Sequence, residues 1–404
     1  MSDALLVIVP GVPVWMTGEN LVFDKKFYDG LMAYVQGWPG RVRCVMYRAT
    51  ENLPVYGSLV HSGDRLPFEL LLLKTDEAVG ADHLQGAGIV LVSGDHFGLL
   101  HVAGLCRDTN IRCVYLIEYT PETRRQIVAI ETRGLWRIWR RYWFIWNGER
   151  RRIKAFRLAD ALQINGVPSW NTYAWHPEKL LFFDNRVRPD MVIGEGALQR
   201  RLAGMQAGRP LRLGFSGRLI SIKGADDLVA VADQLRRAGL VFTLTIFGAG
   251  ELDTWIRERI RQLQLSDVVI MMGPVDFENA LLPTIRDCID VYLLLHRQSD
   301  PSCTYLETLA CGIPVIGYAN QAFDGILQLA DVGWRVDMNA ISQVTATILM
   351  LDRQRELIAQ KSILARQFAL QHDFEATFGR RIEHLRQVAC GSRIPGCQVP
   401  PERF

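Results

Sequence analysis

The stretch LLHRQSDPSCTYLETLACGIPVIGY, Leu294 to Tyr318, limits the possible folds more than any other part of the chain. The apolar runs at its two ends fit parallel strands covered on both faces. Between them, Ser299-Asp300-Pro301-Ser302 breaks regular structure and starts a short helix. A βαβ unit of this kind puts its loop where open α/β sheets bind ligands. Glu307 falls one helical turn beyond Cys303, so its carboxylate lies near whatever the helix N-terminus holds. Helix N-termini hold anions, and phosphate is the expected one. An ordinary βαβ unit with a solvent-facing Glu307 uses the same residues, and this stretch alone does not separate the two readings.

A chain of 404 residues suits two domains rather than one core. With 49% hydrophobic and 22% charged residues, the expectation is a folded, soluble protein. No apolar run has the length of a spanning helix, and MSDALLVIVPGVPVW lacks a basic leader, so a cytoplasmic location is expected. The eight cysteines are scattered without a C-x-x-C pair, which suggests small core residues instead of zinc ligands or disulfides.

In the first half, strands are predicted at Ala4 to Val9, Val42 to Tyr47, Phe68 to Leu73, Ile89 to Val92, Arg112 to Tyr119, Ala161 to Asn165 and Leu180 to Phe183. An amphipathic helix is predicted from Asp24 to Gln36. Such alternation argues for a parallel, doubly wound sheet. The loop carrying Thr17-Gly18-Glu19 is expected at the ligand edge. Asp95 and His96 follow one strand and Glu118 closes another. Position at a strand end fits both a structural and a catalytic role for each.

Residues 124 to 157 hold eleven Arg/Lys against two Glu, while the whole chain carries only +3, which points to an anionic partner for this segment. Along Arg133 and the following GLWRIWRRYWFIWN, residues 134 to 147, at 100° per residue Arg133, Arg137, Arg140 and Arg141 share one face. Trp136, Trp139, Tyr142, Trp143 and Trp146 spread over the other. A cationic face opposite a Trp-rich one is the pattern of a helix lying in an anionic membrane surface. The competing reading is a helix packed on its own domain with solvated arginines. Nucleic acid is not expected as a partner, because no recognition module surrounds the segment.

A linker is read at Ala203 to Pro210, and βα alternation then becomes regular. Strands are predicted at Leu211 to Phe215, Phe242 to Phe247, Val268 to Met272, Val291 to Leu295 and Ile313 to Gly317, with helices such as Asp226 to Arg237 and Leu252 to Leu263 between. This is a Rossmann-type pattern. Gly248-Ala249-Gly250 has no third glycine at the dinucleotide spacing, so Gly248 is read as a tight-turn residue that admits a ligand. After the first of these strands, Gly217-Arg218 and Lys223 offer a fork donor and a point charge to one diphosphate. No Asp-x-Asp pair exists, so no metal is expected and the two cations take over neutralisation.

GRLISIKG, FGAGE, the Gly273-Pro274-Val275 turn and LETLACGIPVIGY, in that order over about 110 residues, resemble the donor-binding half of GT-B glycosyltransferases of family 4. The resemblance implies two Rossmann-like, doubly wound parallel-sheet domains facing a central cleft, and sugar transfer with retention from a nucleotide donor, usually without metal. It implies that Arg218 and Lys223 bind the donor diphosphate, that Glu307 meets the ribose hydroxyls, and that Pro274 and Val275 lie against the base. That family has two glutamates separated by seven residues. Eight positions before Glu307 this chain has Ser299, with Asp300 one step off register. Either Asp300 supplies the missing carboxylate, or the sugar contacts come from Ser302, Thr304 and N–H groups of the loop that also holds Cys303 and Tyr305. Gly18 and Glu19 occupy the place of the family's first glycine-rich loop, and Glu118 stands where many members have a histidine.

The expected domains are 1–205 for the acceptor, 206–372 for the donor, and 373–404 as a helix returning to the first domain plus a tail. The expected activity is a retaining transferase using a UDP- or GDP-sugar and a saccharide acceptor. If the Trp/Arg helix meets a membrane, that acceptor is a polyprenyl-diphosphate-linked saccharide. No cofactor is expected. Catalysis would fall to Arg218 and Lys223, with Asp300 or Glu118 assisting, and Asp95 and His96 would lie on the acceptor side. The alternatives are a non-catalytic nucleotide-sugar-binding protein and a GT-B epimerase.

Overall fold

The computed structural model describes residues 4–18, 20–50, 57–61, 66–74, 77–132 and 134–391. Glu19, expected in the first loop, and Arg133, expected on the cationic face, lie outside the described residues. The first ten strands are β1 (Leu5–Val9), β2 (Trp15–Thr17), β3 (Asn20–Asp24), β4 (Val42–Tyr47), β5 (Ser58–His61), β6 (Glu69–Leu73), β7 (Ala87–Ser93), β8 (Arg112–Ile117), β9 (Ala161–Asn165) and β10 (Lys179–Phe182). Then follow β11 (Leu211–Ser216), β12 (Phe242–Phe247), β13 (Val269–Gly273), β14 (Val291–Leu294), β15 (Val315–Tyr318) and β16 (Gly333–Val336).

Seven strands form one parallel sheet in the order β10-β9-β8-β7-β1-β4-β6, and six form another in the order β13-β12-β11-β14-β15-β16. Every residue of β1, β9, β14 and β15 is buried, as parallel strands covered on both faces require. In each sheet the strand order reverses beside the first strand, between β1 and β7 and between β11 and β14, which is where doubly wound sheets bind ligands. The short strands β2, β3 and β5 pair antiparallel in a small third sheet.

The chain forms two compact units, one of residues 1–121, 140–182 and 375 onward, the other of 122–139 and 183–374. The second unit starts earlier than the linker at 203–210 suggests. Helix Glu195–Gln206 buries Leu198, Leu202 and Met205 in the core around β11 to β15, so it folds with the second unit. Helix Phe374–Ala389 belongs to the first unit, where Phe378 meets Tyr34 edge-on at 5.3 Å between centroids and the Arg381 carbonyl accepts a hydrogen bond from Gln163 at 2.8 Å.

Candidate functional site

The loops leaving β11 and β14 are locked together at the switch point of the second unit. Gly224 has φ +69°, and a Cβ there would collide with the Leu295 carbonyl, so only glycine allows this approach. The Arg297 amide donates to the Ile222 carbonyl at 3.0 Å, and its guanidinium pairs with Asp226 at 2.7 Å and Asp227 at 2.6 Å. Asp227 also accepts the Tyr318 hydroxyl at 2.6 Å. The next loop joins by the same device, because a Cβ at Gly248 would strike the Gly217 carbonyl. The Gly248 amide in turn reaches the Gly273 carbonyl at 2.8 Å.

In this frame, Lys223 is nearly buried, at 8% exposure, and pairs with Asp300 at 3.2 Å. The same Asp300 Oδ2 accepts from Gln298 Nε2 at 3.0 Å. His296 lies beneath, and burial together with the Lys223 charge pushes its imidazole well below the ordinary range, so it is neutral. Arg218 is exposed. The structure thus brings Lys223 and Asp300 into contact across 77 positions of sequence and leaves the Arg218 side chain in solvent.

Ser299 is 1% exposed, so it does not stand in for a sugar-facing carboxylate. Its amide donates to Gln126 Oε1 at 2.8 Å, and its hydroxyl accepts from the Gln321 amide at 3.2 Å and from Gln126 Nε2 at 3.4 Å. Gln126 lies on helix Pro121–Glu131, which folds with the second unit. Sequence reasoning missed it, and no local signal marks it.

Helix Thr304–Ala310 carries Glu307, whose Oε1 accepts from Arg186 Nε at 2.8 Å. The Arg186 guanidinium lies 3.6 Å from the centroid of the Phe277 ring, at the start of the π-helical turn Phe277–Leu281. Turns of that type are frequent at functional sites. The sequence analysis gives Arg186 no role, since nothing local marks it. At the other end of helix Thr304–Ala310, buried Arg201 donates to the Cys311 carbonyl at 2.7 Å and also to that of Gly312, which satisfies carbonyls the helix leaves open. Desolvation pushes Arg201 down to about 10, so it stays charged.

Pro274 is exposed and Val275 half-buried beside Phe277 in sequence. Ser302 Oγ donates to Thr304 Oγ1 at 3.2 Å, and the Ser302 amide is committed to the Asp300 carbonyl at 2.8 Å. Cys303 is half-buried. The Tyr305 ring is buried, stacked on Phe323 at 5.6 Å, so its side chain serves the core.

At the switch point of the first unit, Asp95 accepts the amides of Glu118 at 2.6 Å and Tyr119 at 3.3 Å, and pairs with fully buried Arg152 at 3.1 Å. It therefore fixes the end of β8. The Glu118 carbonyl accepts from Ser169 Oγ at 3.2 Å. His96 stacks on Tyr47 at 5.5 Å, and burial lowers its pKa. Gly18, with φ +62°, turns the β2–β3 hairpin. Gly11 packs at this switch point, where a Cβ would lie 2.9 Å from Ser93 Oγ and 3.4 Å from His96 Cβ.

Helix Leu135–Leu158 buries Ile145, Gly148, Arg152, Ala155 and Phe156 along one face of its later turns. Its earlier turns leave Trp136, Trp139 and Trp143 at 70%, 57% and 54% exposure, with Arg137, Arg140 and Arg141 also exposed. At 100° per residue the tryptophans lie opposite the buried face. Packing on the chain's own core therefore does not account for them.

Residues 206–363 match the family model of glycosyl transferases group 1. The putative colanic acid biosynthesis glycosyltransferase WcaL of Escherichia coli is 30% identical over 197 residues, 44% of this chain and 45% of WcaL. The 2-deoxystreptamine N-acetyl-D-glucosaminyltransferase of Streptomyces fradiae is 30% identical over 123 residues, 30% of this chain and 28% of that enzyme. The chain thus spans under half the length of these curated relatives. The structure of Anabaena Alr3699/HepE in complex with UDP superposes with a TM-score of 0.67 at 12% identity, covering 95% of this chain and 99% of that one. WaaG, a glycosyltransferase involved in lipopolysaccharide biosynthesis, gives 0.57 at 14% identity over 94% and 99%. Residues 206–363 are thus similar to the glycosyl transferases group 1 family, and the chain's two parallel-sheet units have the GT-B fold.

Proposed function

We propose that the protein is a retaining, metal-independent glycosyltransferase that moves a sugar from a UDP- or GDP-sugar to a lipid-linked saccharide, in cell-surface polysaccharide or glycolipid synthesis. The Lys223–Asp300 pair at the switch point of the group 1 domain carries this reading. A buried ammonium in a glycine-cleared loop neutralises a diphosphate without a metal, and exposed Arg218 adds a second cation as the ligand enters. Asp300 has its Oδ1 unclaimed by any described residue and supplies the sugar-facing carboxylate. Glu307 receives the ribose hydroxyls while Arg186 orients it. In the transfer step, the bond from the sugar's anomeric carbon to the diphosphate oxygen breaks as the acceptor oxygen bonds to the same face. The acceptor's proton passes to the leaving phosphate, so no protein nucleophile is consumed. His96 and Glu118 lie on the acceptor side, and Asp95 holds Glu118 in place.

The names of WcaL and WaaG support polysaccharide or lipopolysaccharide chemistry, and the UDP complex of HepE supports a uridine donor. The exposed tryptophans and arginines of helix Leu135–Leu158 support a peripheral position on an anionic membrane, at the cytoplasmic face. The test is turnover with a panel of UDP- and GDP-sugars and a polyprenyl-diphosphate saccharide, with chelator present, and the product anomer read by NMR. Transfer with the donor's configuration kept is expected. No turnover with any donor, alongside intact nucleotide binding, selects a non-catalytic binder, the reading that buried Ser299 favours. A changed sugar nucleotide without acceptor selects an epimerase.

A further inference from the structure

We propose that Gln126 is a positioning residue of the donor site, setting where the Asp300 carboxylate meets the transferred sugar and so which sugars fit. This rests on the donor-site reading above. Gln126 comes from helix Pro121–Glu131, 173 positions before Ser299, and engages it with both ends of its amide: Oε1 accepts the Ser299 N–H at 2.8 Å and Nε2 donates to the Ser299 hydroxyl at 3.4 Å. One turn earlier, Thr123 Oγ1 donates to the Ser299 carbonyl at 3.4 Å. With the Gln321 amide on its hydroxyl, each polar group of Ser299 has a partner, and the residue is sealed from solvent.

The consequence falls on the next residue. Asp300 has a side chain one methylene shorter than glutamate, so it has little reach with which to correct an error in its backbone. Its orientation depends on where residue 299 is held. Gln126 fixes the preceding backbone, Lys223 and Gln298 fix Oδ2, and Oδ1 is the oxygen left over for a hydroxyl of the sugar. A misplacement of about 1 Å at a reacting group costs on the order of a hundredfold in rate, so a residue that never touches substrate can act through this geometry. A longer carboxylate at position 299 would have to displace Gln126, which occupies the space beside the Ser299 side chain.

The variant for the test is Gln126→Met, which keeps the volume of the side chain and removes both hydrogen bonds. Gln126→Glu keeps the acceptor for the Ser299 N–H, and its second oxygen accepts the Ser299 hydroxyl. Binding of UDP and of UDP-sugars is measured by calorimetry, with transfer kinetics in parallel. Q126M should bind UDP about as wild type does, showing the fold and diphosphate site intact. It should lose the extra affinity contributed by the sugar, lower kcat by roughly tenfold or more, and discriminate less between donor sugars, and Q126E should restore most of the loss. If wild type discriminates among sugars and Q126M does so equally, with unchanged kcat, the inference is overturned while the donor site stands. If wild type itself binds no sugar nucleotide, both fall together.

Discussion

In the proposed function Lys223 has two tasks, since its ammonium pairs with Asp300 at 3.2 Å and would also neutralise the donor's diphosphate. Lys223→Met should therefore weaken nucleotide binding and lower turnover by roughly a hundredfold. Asp300→Asn, with Lys223 intact, should keep nucleotide affinity and lose turnover with the sugar donor. Equal losses of UDP affinity in the two variants would show that the pair acts only as structure. Arg186→Ala should raise the Kd for UDP by roughly tenfold, because Glu307 loses the partner that orients it on a buried helix. Local spacing and the resemblance single out Arg218, Lys223 and Glu307 as candidates in the sequence. The sequence hides Arg186 and Gln126, whose partners lie 121 and 173 positions away. It also hides the inward turn of Ser299, which only the surrounding donors and acceptors reveal.

At the scale of elements, helix Leu135–Leu158 combines a packed face in its later turns with an exposed Trp face in its earlier ones. Replacing Trp136, Trp139 and Trp143 with Ser should release the protein from anionic liposomes in a flotation assay. High salt should weaken binding of the wild type, since each basic group near the surface contributes on the order of 1 kcal/mol. Unchanged flotation of the triple variant would refute membrane docking.

Helix Phe374–Ala389 makes a pH prediction. Burial, with the neighbouring His176, lowers His384 to about 4, so the folded state binds fewer protons there than the unfolded chain. That contribution is complete above the ordinary histidine pKa of about 6.5 and is lost as pH falls toward the folded value, up to about 3 kcal/mol. Melting curves between pH 7 and 4.5 should show His384→Gln losing less stability on acidification than wild type does. The long, buried strands of both sheets were legible because parallel strands are apolar throughout. Strand β12 runs from Phe242 to Phe247 as the sequence predicts. The short strands β2, β3 and β5 escaped notice because three to five residues, half-exposed, carry too little pattern.

At the scale of the whole molecule, alternation of strand and helix specified two doubly wound sheets, but not how the chain divides between units. Packing decides that. Helix Lys25–Gly37 presents Gly30 and Gly37 to Phe378 and Ile382 so closely that a Cβ at Gly30 would lie 2.9 Å from the Phe378 ring, and one at Gly37 2.6 Å from the Ile382 side chain. Phe378→Ala should cost about 3 kcal/mol, read as earlier melting of the first unit, while the thermal shift produced by UDP in the second unit persists.

The same helix has a consequence for biosynthesis. The ribosome completes strand β10 at Phe182, yet the segment that covers Tyr34, Gln163 and the two helix glycines begins only at Phe374. At about 5–20 residues per second, roughly 10–40 s pass before it emerges. For that interval the first unit waits with an uncovered apolar seam, while the second unit, most of it encoded in between, folds around its own sheet. The nascent chain is therefore most exposed to chaperones and proteases at its beginning, and slowing of translation anywhere between residues 183 and 374 lengthens that exposure.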